Sequence, residues 1–168
     1  MSKAFNFMKW IDENRELLKP PVGNKVVFKD STFIVMVVGG PNERTDFHIN
    51  ESDEFFYQLE GEMNLRTVQD NNFVDIPIRA GEIYMLKAGT PHSPQRFINS
   101  VGLVIEKTRS DEEKDTLQWY CKKCCNKLYS ETFQLKNIET DFGAVFDRYY
   151  GSAHTKCNKC STITDRTW

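Results

Sequence analysis

The sequence predicts a mainly β protein, an antiparallel sandwich or barrel with a short helix before it and a small C-terminal metal-binding segment containing one helix after it. Three observations support this. Seven short runs of strand-forming residues alternate with turn signals, no repeated strand–helix alternation is present, and all five cysteines lie in the last third of the chain. Many short strands at close spacing are typical of antiparallel all-β folds.

Composition narrows the class of protein. The 168 residues suffice for one domain and a small appendage. A formal net charge of −2 disfavours a dedicated nucleic-acid binder, which needs a strong basic excess. No apolar run approaches the ~20 residues of a membrane span, and the N-terminus lacks the long uncharged stretch of a signal peptide. We therefore expect a cytoplasmic protein without a membrane or nucleic-acid partner.

The first predicted element is an amphipathic helix over residues 5–19. Phe7, Ile11 and Leu18 fall on one side of it, and Pro20-Pro21 ends it. The strands that follow are predicted at residues 25–29, 32–38, 54–59, 63–68, 73–78, 83–86 and 103–106. Gly, Asn and Asp clusters separate these runs, as expected for turns.

The chain changes character near residue 109. Residues 109–115 are charged and lack an apolar anchor, which predicts a linker and divides the chain into residues 1–108 and residues 109–168. Beyond the linker, residues 116–120 and 127–130 are predicted short strands. Apolar residues from Leu135 to Tyr149 recur at helical spacing, and Gly151 is placed to end that helix.

One constellation of residues suggests a catalytic metal. His48 and Glu54 are six residues apart, a spacing that puts both on one face if they share a strand, and His92 follows a turn at residues 89–91. Two imidazoles and one carboxylate are the ligand set of non-haem Fe(II) enzymes, which leaves adjacent positions open for substrates. Each residue alone is more often ordinary core or surface.

The surrounding pattern resembles a known superfamily. Residues 48–61 have the form H-x-N-x3-E-x6-G, and residues 81–92 have the form G-x7-G-x2-H. These are similar to the two metal motifs of the cupins, small β-barrels of jelly-roll type. Asn50 stands where many cupins have a further His, Lys87 where Pro is usual, and Arg96 where Asn is common, so His48, Glu54 and His92 remain as ligands.

Longer runs narrow the resemblance. Residues 39–48, 53–58 and 91–96, together with the Cys-rich tail, closely resemble the bacterial type of the 3-hydroxyanthranilate 3,4-dioxygenase family. The resemblance implies Fe(II)-dependent, extradiol-type cleavage of 3-hydroxyanthranilate by O2 to 2-amino-3-carboxymuconate semialdehyde. That product cyclises to quinolinate, which links the reaction to the kynurenine pathway and NAD biosynthesis. A homodimer is expected by analogy, because cupins commonly pair through barrel strands.

The resemblance also implies roles for charged residues. Arg96 is expected to bind the substrate carboxylate, which its planar guanidinium matches. Arg44 is expected on the dioxygen side, where its positive charge stabilises developing negative charge. Glu106 is expected to contact the polar ring groups as a proton acceptor, and Glu54 to contact substrate besides binding iron. Weaker candidates for supporting roles are Asp46, Asn50 and Gln58.

A second metal site is predicted in the tail. Cys121, Cys124, Cys157 and Cys160 form the pattern C-x2-C-x32-C-x2-C, in which two knuckles complete a tetrahedral four-sulfur site. The spacing fits structural Zn or Fe and does not choose between them, and a pair of redox dithiols is the alternative. Two neighbours have open roles: Cys125 adjoins Cys124 and is a possible substitute ligand, and His154 lies three residues before Cys157.

Two other functions stay open at this point. One is a cupin dioxygenase that acts on another anionic aromatic substrate, since Arg44 and Arg96 favour an anion without identifying it. The other is a non-catalytic cupin that uses its metal to bind a small molecule. A nucleic-acid-binding tail is disfavoured, because residues 114–168 carry only a small basic excess.

Overall fold

The computed structural model describes residues 3–20, 23–28, 31–138 and 140–166. Within these ranges two antiparallel sheets face each other across a shared core, so the mainly β prediction is confirmed. The helices are α1 (Phe7–Asn14) and α2 (Phe142–Tyr150), with short 3-10 turns at Arg15–Leu18 and Ala153–Thr155. The strands are β1 (Asn24–Phe28), β2 (Phe33–Gly39), β3 (Asp46–Ile49), β4 (Glu54–Glu60), β5 (Glu62–Gln69), β6 (Asn72–Arg79), β7 (Ile83–Leu86), β8 (His92–Arg96), β9 (Val101–Lys107), β10 (Asp115–Tyr120) and β11 (Lys127–Phe133).

The strand order brings distant segments together. One sheet has the order β1-β2-β9-β4-β7, and the other has the order β11-β10-β3-β8-β5-β6. Every second side chain along these strands points into the core between the sheets, because successive side chains of a strand lie on opposite faces. Its buried members are Met36, Phe56, Met63, Leu65, Ile78, Leu86 and Val104.

The N-terminal helix lies within the predicted range 5–19 but is shorter, with α1 over Phe7–Asn14 followed by the 3-10 turn at Arg15–Leu18. The Asn6 side chain accepts a hydrogen bond from the Lys9 N–H at 2.9 Å, which caps the first turn. Ile11 and Leu18 are buried against Val37 of β2, so the helix packs on the outside of the five-stranded sheet. The predicted stop at Pro21 and the predicted end of β1 at Lys29 lie outside the described residues.

The two strands missing from the sequence prediction carry both candidate histidines. Strand β3 has only two apolar residues, Phe47 and Ile49, and strand β8 is polar and contains Pro94. Neither strand therefore shows a run of strand-forming residues. His48 and His92 face each other across the β3–β8 pair. Glu54 begins β4 in the opposite sheet, so His48 and Glu54 do not share one strand; they converge from two sheets.

The C-terminal segment continues the barrel sheet. Strand β10 pairs with β3, where Leu117 lies opposite His48, and β11 forms the outer edge. The predicted strands at 116–120 and 127–130 are confirmed as β10 and β11. The division at residue 108 stays a prediction, and hydrogen-bonded pairing crosses it.

The predicted C-terminal helix is shorter than expected. It runs from Phe142 to Tyr150, and Leu135 precedes it in a segment without regular secondary structure. The Gly151 N–H donates to the Asp147 carbonyl at 3.0 Å. The helix packs on β10, where the rings of Trp119 and Tyr149 stack with centroids 4.3 Å apart. In the part of the chain that the structure describes, neither α-helix has the length and apolar character needed to cross a bilayer.

Candidate metal centre and substrate site

Three potential ligands meet between the sheets. One ligand atom from each of His48, Glu54 and His92 lies within 4.8 Å of the other two, and all three side chains are buried. The His92 Nε2 atom is 3.2 Å from Glu54 Oε2. Two neutral imidazoles and a carboxylate are suited to a divalent transition metal, so the residues present fit such an ion.

The backbone fixes the orientation of His92. Its Nδ1 lies 3.0 Å from the Thr90 carbonyl oxygen, which can only accept, so Nδ1 carries the proton and Nε2 faces Glu54. Burial lowers the pKa of His92, but the Glu54 carboxylate outweighs burial and the pKa is raised. Glu54 shows the reverse: burial raises its pKa, the charge of His92 outweighs that, and the pKa lies below its usual value. A divalent cation would take the place of the shared proton.

His48 is held by a residue that the sequence analysis assigned to a linker. Its Nε2 lies 2.6 Å from Oδ1 of Asp115, which is completely buried. Burial raises the pKa of Asp115, yet hydrogen bonds from His48 and Arg109 outweigh it and the pKa is lowered. An ionised Asp115 accepts the Nε2–H, which leaves the lone pair on Nδ1. The only sequence signal for Asp115 was its position directly before the predicted strand at 116–120.

A second carboxylate lies beside Glu54. Glu106 is 2% exposed, and its Oε2 accepts a hydrogen bond from Asn50 Nδ2 at 3.1 Å and forms an ion pair with Arg109 Nη2 at 2.8 Å. Asn50 Nδ2 also donates to Glu54 Oε2 at 3.2 Å. Burial raises the pKa of Glu106 to about 7, the Glu54 charge adds to this, and Arg109 opposes it. A carboxyl group with a pKa near neutrality is suited to proton transfer.

Arg96 is a buried cation without an acidic partner among the described residues. Arg96 is 3% exposed, and its Nη1 donates a long hydrogen bond of 3.5 Å to Gln58 Oε1. Its Nε has no hydrogen-bond acceptor among the described residues. Burial lowers its pKa to about 10, so it remains charged at neutral pH. A buried charge is costly unless it is paired, which favours an anionic ligand at this position.

Gly102 makes room for Arg96. A Cβ on Gly102 would lie 2.6 Å from Arg96 Nη1 and 3.0 Å from Gln58 Oε1. Both contacts are shorter than van der Waals distance, so the guanidinium occupies its position only because residue 102 has no side chain.

Arg44 lies near the histidines, and its positive charge acts on both His92 and Arg96. It forms an ion pair with the buried Asp46, and its Cζ is 5.8 Å from the centroid of the Phe142 ring. That ring is 5.3 Å from the His48 ring. A cavity of about 350 Å³ opens at this side and is lined by Arg44, Asp46 and Phe142 among others. The C-terminal helix therefore forms one wall next to the predicted metal ligands.

The four predicted cysteines also converge. Their sulfur atoms lie 3.4 Å apart for Cys121 and Cys160, 3.7 Å for Cys124 and Cys157, and 3.6 Å for Cys124 and Cys160. A disulfide needs about 2.05 Å. A tetrahedral ion with sulfur bonds of about 2.3 Å places its ligands roughly 3.8 Å apart, close to the spacing observed.

The two knuckles share one backbone design. Cys125 and Ser161 both have positive φ, 52° and 61°, and their N–H groups donate to the carbonyls of Cys121 and Cys157 at 2.9 Å. Cys125 thus closes a turn and is not part of the four-sulfur group. The His154 ring contacts the Tyr129 ring at a tilt of 51°, with centroids 5.5 Å apart, and His154 is also outside that group.

Comparison with known proteins agrees with this geometry. A family model described as 3-hydroxyanthranilic acid dioxygenase matches residues 1–150. A protein of Xanthomonas euvesicatoria pv. vesicatoria named 3-hydroxyanthranilate 3,4-dioxygenase is 57% identical over 159 residues, covering 94% of this chain and 90% of that protein. A Neurospora crassa protein of the same name is 42% identical over 166 residues, covering 98% and 92%.

A solved structure supports the fold alone. A cupin-2 domain protein from Shewanella frigidimarina superposes with a TM-score of 0.50 at 21% identity, covering 62% of this chain and 95% of the other. The predicted cupin fold is therefore confirmed. With a family model that spans most of the sequence and relatives that match nearly all of it, the chain belongs to the 3-hydroxyanthranilic acid dioxygenase family.

Proposed function

We propose that the protein is an Fe(II)-dependent dioxygenase that converts 3-hydroxyanthranilate and O2 to 2-amino-3-carboxymuconate semialdehyde. Membership of the family supports this proposal, as do the names of its relatives. The observation that carries it is the group of His48, Glu54 and His92, buried in the same interior as the unpaired guanidinium of Arg96. Both oxygen atoms enter the product, so the reaction needs no further reductant.

His48, Glu54 and His92 are the residues that would hold iron. Fe(II) is favoured over Zn because Zn²⁺ has no redox chemistry, whereas Fe(II) held by two imidazoles and one carboxylate would have positions open for substrate and dioxygen. When bound, Fe(II) would hold both reactants together and let electron density pass from the aromatic ring to O2. The buried, unpartnered Oε1 of Glu106 and Nε of Arg96 supply a polar lining for a ligand beside these residues.

The charged residues have separate proposed roles. Arg96 binds the substrate carboxylate and so orients the ring. Glu106, whose pKa lies at about 7, accepts the proton of the ring hydroxyl, and Glu54 contributes to the same polar wall. Arg44 supplies positive charge near the histidines, where it would stabilise negative charge that develops on oxygen, and Asp46 fixes its guanidinium.

The first prediction concerns activity. Protein reconstituted with Fe(II) under anaerobic conditions and then given 3-hydroxyanthranilate and air should consume one O2 per substrate, with a new near-ultraviolet product absorbance. His92→Ala should lose iron and turnover, because two ligands do not retain a labile ferrous ion. His154→Ala removes an exposed histidine outside the metal group and serves as the matched control.

Two outcomes would contradict this proposal. Iron-loaded protein that binds 3-hydroxyanthranilate without consuming O2 would identify a binding protein. Normal iron content and rate in His92→Ala would show that the ligand assignment is wrong.

The second prediction concerns the substrate carboxylate. Gly102→Ala should displace the Arg96 guanidinium and raise KM by about 10- to 100-fold, the range expected when a charge-assisted hydrogen bond of ~1.5–3 kcal/mol is lost. Iron content should not change. Gly143→Ala is the matched control, since nothing lies within 4 Å of its added Cβ. Steady-state kinetics would decide, and an unchanged KM in Gly102→Ala would argue against this role for Arg96.

We further propose that the four cysteines hold a structural Zn or Fe ion. Four thiolates leave no open coordination position, so a structural role is expected. The site ties the turn before β11 to the chain after α2, and its binding energy would stabilise a segment with a small core. Reduced thiolates are typical of the cytoplasm, the location we propose.

The third prediction tests that site. Cys157→Ser combined with Cys160→Ser should release the tail metal and lower stability by several kcal/mol, because metal binding contributes directly to folding. Thermal unfolding and elemental analysis would measure this, with Cys125→Ser as the control. The soluble variant should still bind iron at His48, Glu54 and His92. Unchanged stability and metal content would contradict the proposal.

We also propose a homodimer. An apolar row crosses the outer face of the five-stranded sheet at one register, formed by Val35, Ile105, Phe55 and Met85. Ile83 and Met85 on this face are 64% and 49% exposed. A contiguous exposed apolar face marks an interaction surface, and a second copy would cover it symmetrically.

The fourth prediction follows from this surface. Light scattering should give twice the chain mass for the wild type and a monomer for Ile83→Lys, because a buried lysine without a partner is costly. Ile98→Lys changes a 72% exposed residue outside the five-stranded sheet and should leave the dimer intact. A monomeric wild-type protein would contradict the proposal.

A further inference from the structure

We propose that Arg109 and Asp115 are positioning residues that connect the metal ligand His48 to the substrate-facing carboxylate Glu106. The inference rests on the proposed function and extends it to two residues that the sequence analysis placed in a linker. Asp115 acts on the metal side, and Arg109 joins both sides.

Arg109 bridges the two carboxylates. A single nitrogen, Nη2, lies 2.7 Å from Asp115 Oδ1 and 2.8 Å from Glu106 Oε2, and Nε lies 3.1 Å from Asp115 Oδ2. The side chain of Arg109 is only 8% exposed, and those of Glu106 and Asp115 are 1% exposed. These short contacts between buried side chains form one connected group.

The group continues to both parts of the site. On one side Asp115 Oδ1 accepts from His48 Nε2 at 2.6 Å. On the other side Glu106 Oε2 shares the Asn50 amide with Glu54 Oε2. A path of hydrogen bonds and one ion pair thus runs from His48 through Asp115, Arg109, Glu106 and Asn50 to Glu54.

Burial explains why these residues act together. A buried ion loses its hydration, so it is stable only while its partners remain in place. If Asp115 moved out of place, Arg109 would keep only Glu106 as an acidic partner within the group. If Glu106 moved, Arg109 would keep only Asp115. The planar fork of an arginine serves both carboxylates at once, which the point charge of a lysine does less well.

The chain between β9 and β10 provides this arrangement. Glu106 lies near the end of β9 and Asp115 begins β10, so both are fixed by strand pairing while Arg109 lies in the connection. Glu113 accepts the Ser110 N–H at 2.7 Å and pairs with Lys107 at 2.7 Å, which holds the connection in place. These outer contacts do not reach the metal ligands.

The proposal predicts a specific division of effects. A hydrogen-bonded carboxylate behind a ligand histidine fixes the ring and raises its basicity, and loss of such a partner typically costs 10- to 100-fold in metal affinity. Asp115→Asn keeps the shape but removes the charge, so it should weaken metal binding by about this factor. Arg109→Lys should weaken metal binding through Asp115 and also lower kcat through Glu106.

The experiment uses Co(II) as the probe on full-length protein. Co(II) bound by the cysteines has a sulfur-to-metal charge-transfer absorption, which distinguishes it from Co(II) at the other site. The ligand-field bands that are not due to the cysteine site therefore measure Co(II) bound by His48, Glu54 and His92. Affinity and band positions are measured for wild type, Asp115→Asn, Arg109→Lys and the double variant, and kcat and KM are measured after Fe(II) loading. Coupling predicts that Arg109→Lys shifts the bands and weakens Co(II) binding in the wild type but adds little in the Asp115→Asn background.

A matched pair on the surface provides the control. Arg66 and Asp75 form the same two-point ion pair, at 2.7 and 2.9 Å, with side chains 41% and 44% exposed. Arg66→Lys and Asp75→Asn should leave Co(II) bands, affinity, kcat and KM unchanged. This comparison separates a positioning role from a general effect of altering an arginine–aspartate pair.

Three results would overturn the proposal. In the first, Arg109→Lys has the same Co(II) bands and Co(II) affinity as the wild type. In the second, the losses of Co(II) affinity in the two single variants simply add in the double variant. In the third, the effects of Asp115→Asn and Arg109→Lys are no larger than those of the Arg66 and Asp75 variants. If Asp115→Asn does not fold, Arg109→Lys alone decides through its Co(II) spectrum and its kcat. Wild-type protein that binds Co(II) but shows no turnover with Fe(II) would instead count against the proposed function, which keeps the two failures distinct.

Discussion

Ionised side chains buried between two apolar sheets must each find a partner, and much of this molecule is arranged to supply those partners. Glu54 faces His92, Asp46 neutralises Arg44, and Arg109 lies between Glu106 and Asp115. Arg96 differs, because it has no acidic partner among the described residues. This buried, uncompensated cation lies in the interior that holds the predicted metal ligands, which is the arrangement expected of a binding site for an anion.

This need for partners gives the C-terminal region a role in the site. Strand β10 adds to the sheet beside β3, and its first residue, Asp115, contacts His48. Helix α2 then packs on β10 through Trp119 and Tyr149 and presents the Phe142 ring near His48. The C-terminal region thus supplies the hydrogen-bond acceptor of His48, which is Asp115, and one wall of the candidate site, which is Phe142.

The two ligand groups differ in the way their chemistry requires. Three potential ligands from three strands would leave coordination positions open to reactants and lie beside Arg96 and Glu106. Four cysteines from two tight turns would close the coordination sphere of an ion, and they join two chain segments. Both groups were recognised in the sequence, because ligand type and spacing are local properties that survive without knowledge of the fold.

By itself the sequence determined the mainly β class, most strands, the N-terminal helix, the two ligand groups and the family resemblance, since period, turn residues and motif spacing are written along the chain. Only the tertiary structure decided that β3 and β8 are strands, because Asp46, His48 and Pro94 give no strand-forming pattern. It likewise decided that His48 and Glu54 approach from opposite sheets. Arg109 and Asp115 read as solvated charges in a linear sequence; their burial follows from pairing across strands that are distant in the chain, and no local pattern encodes such a contact.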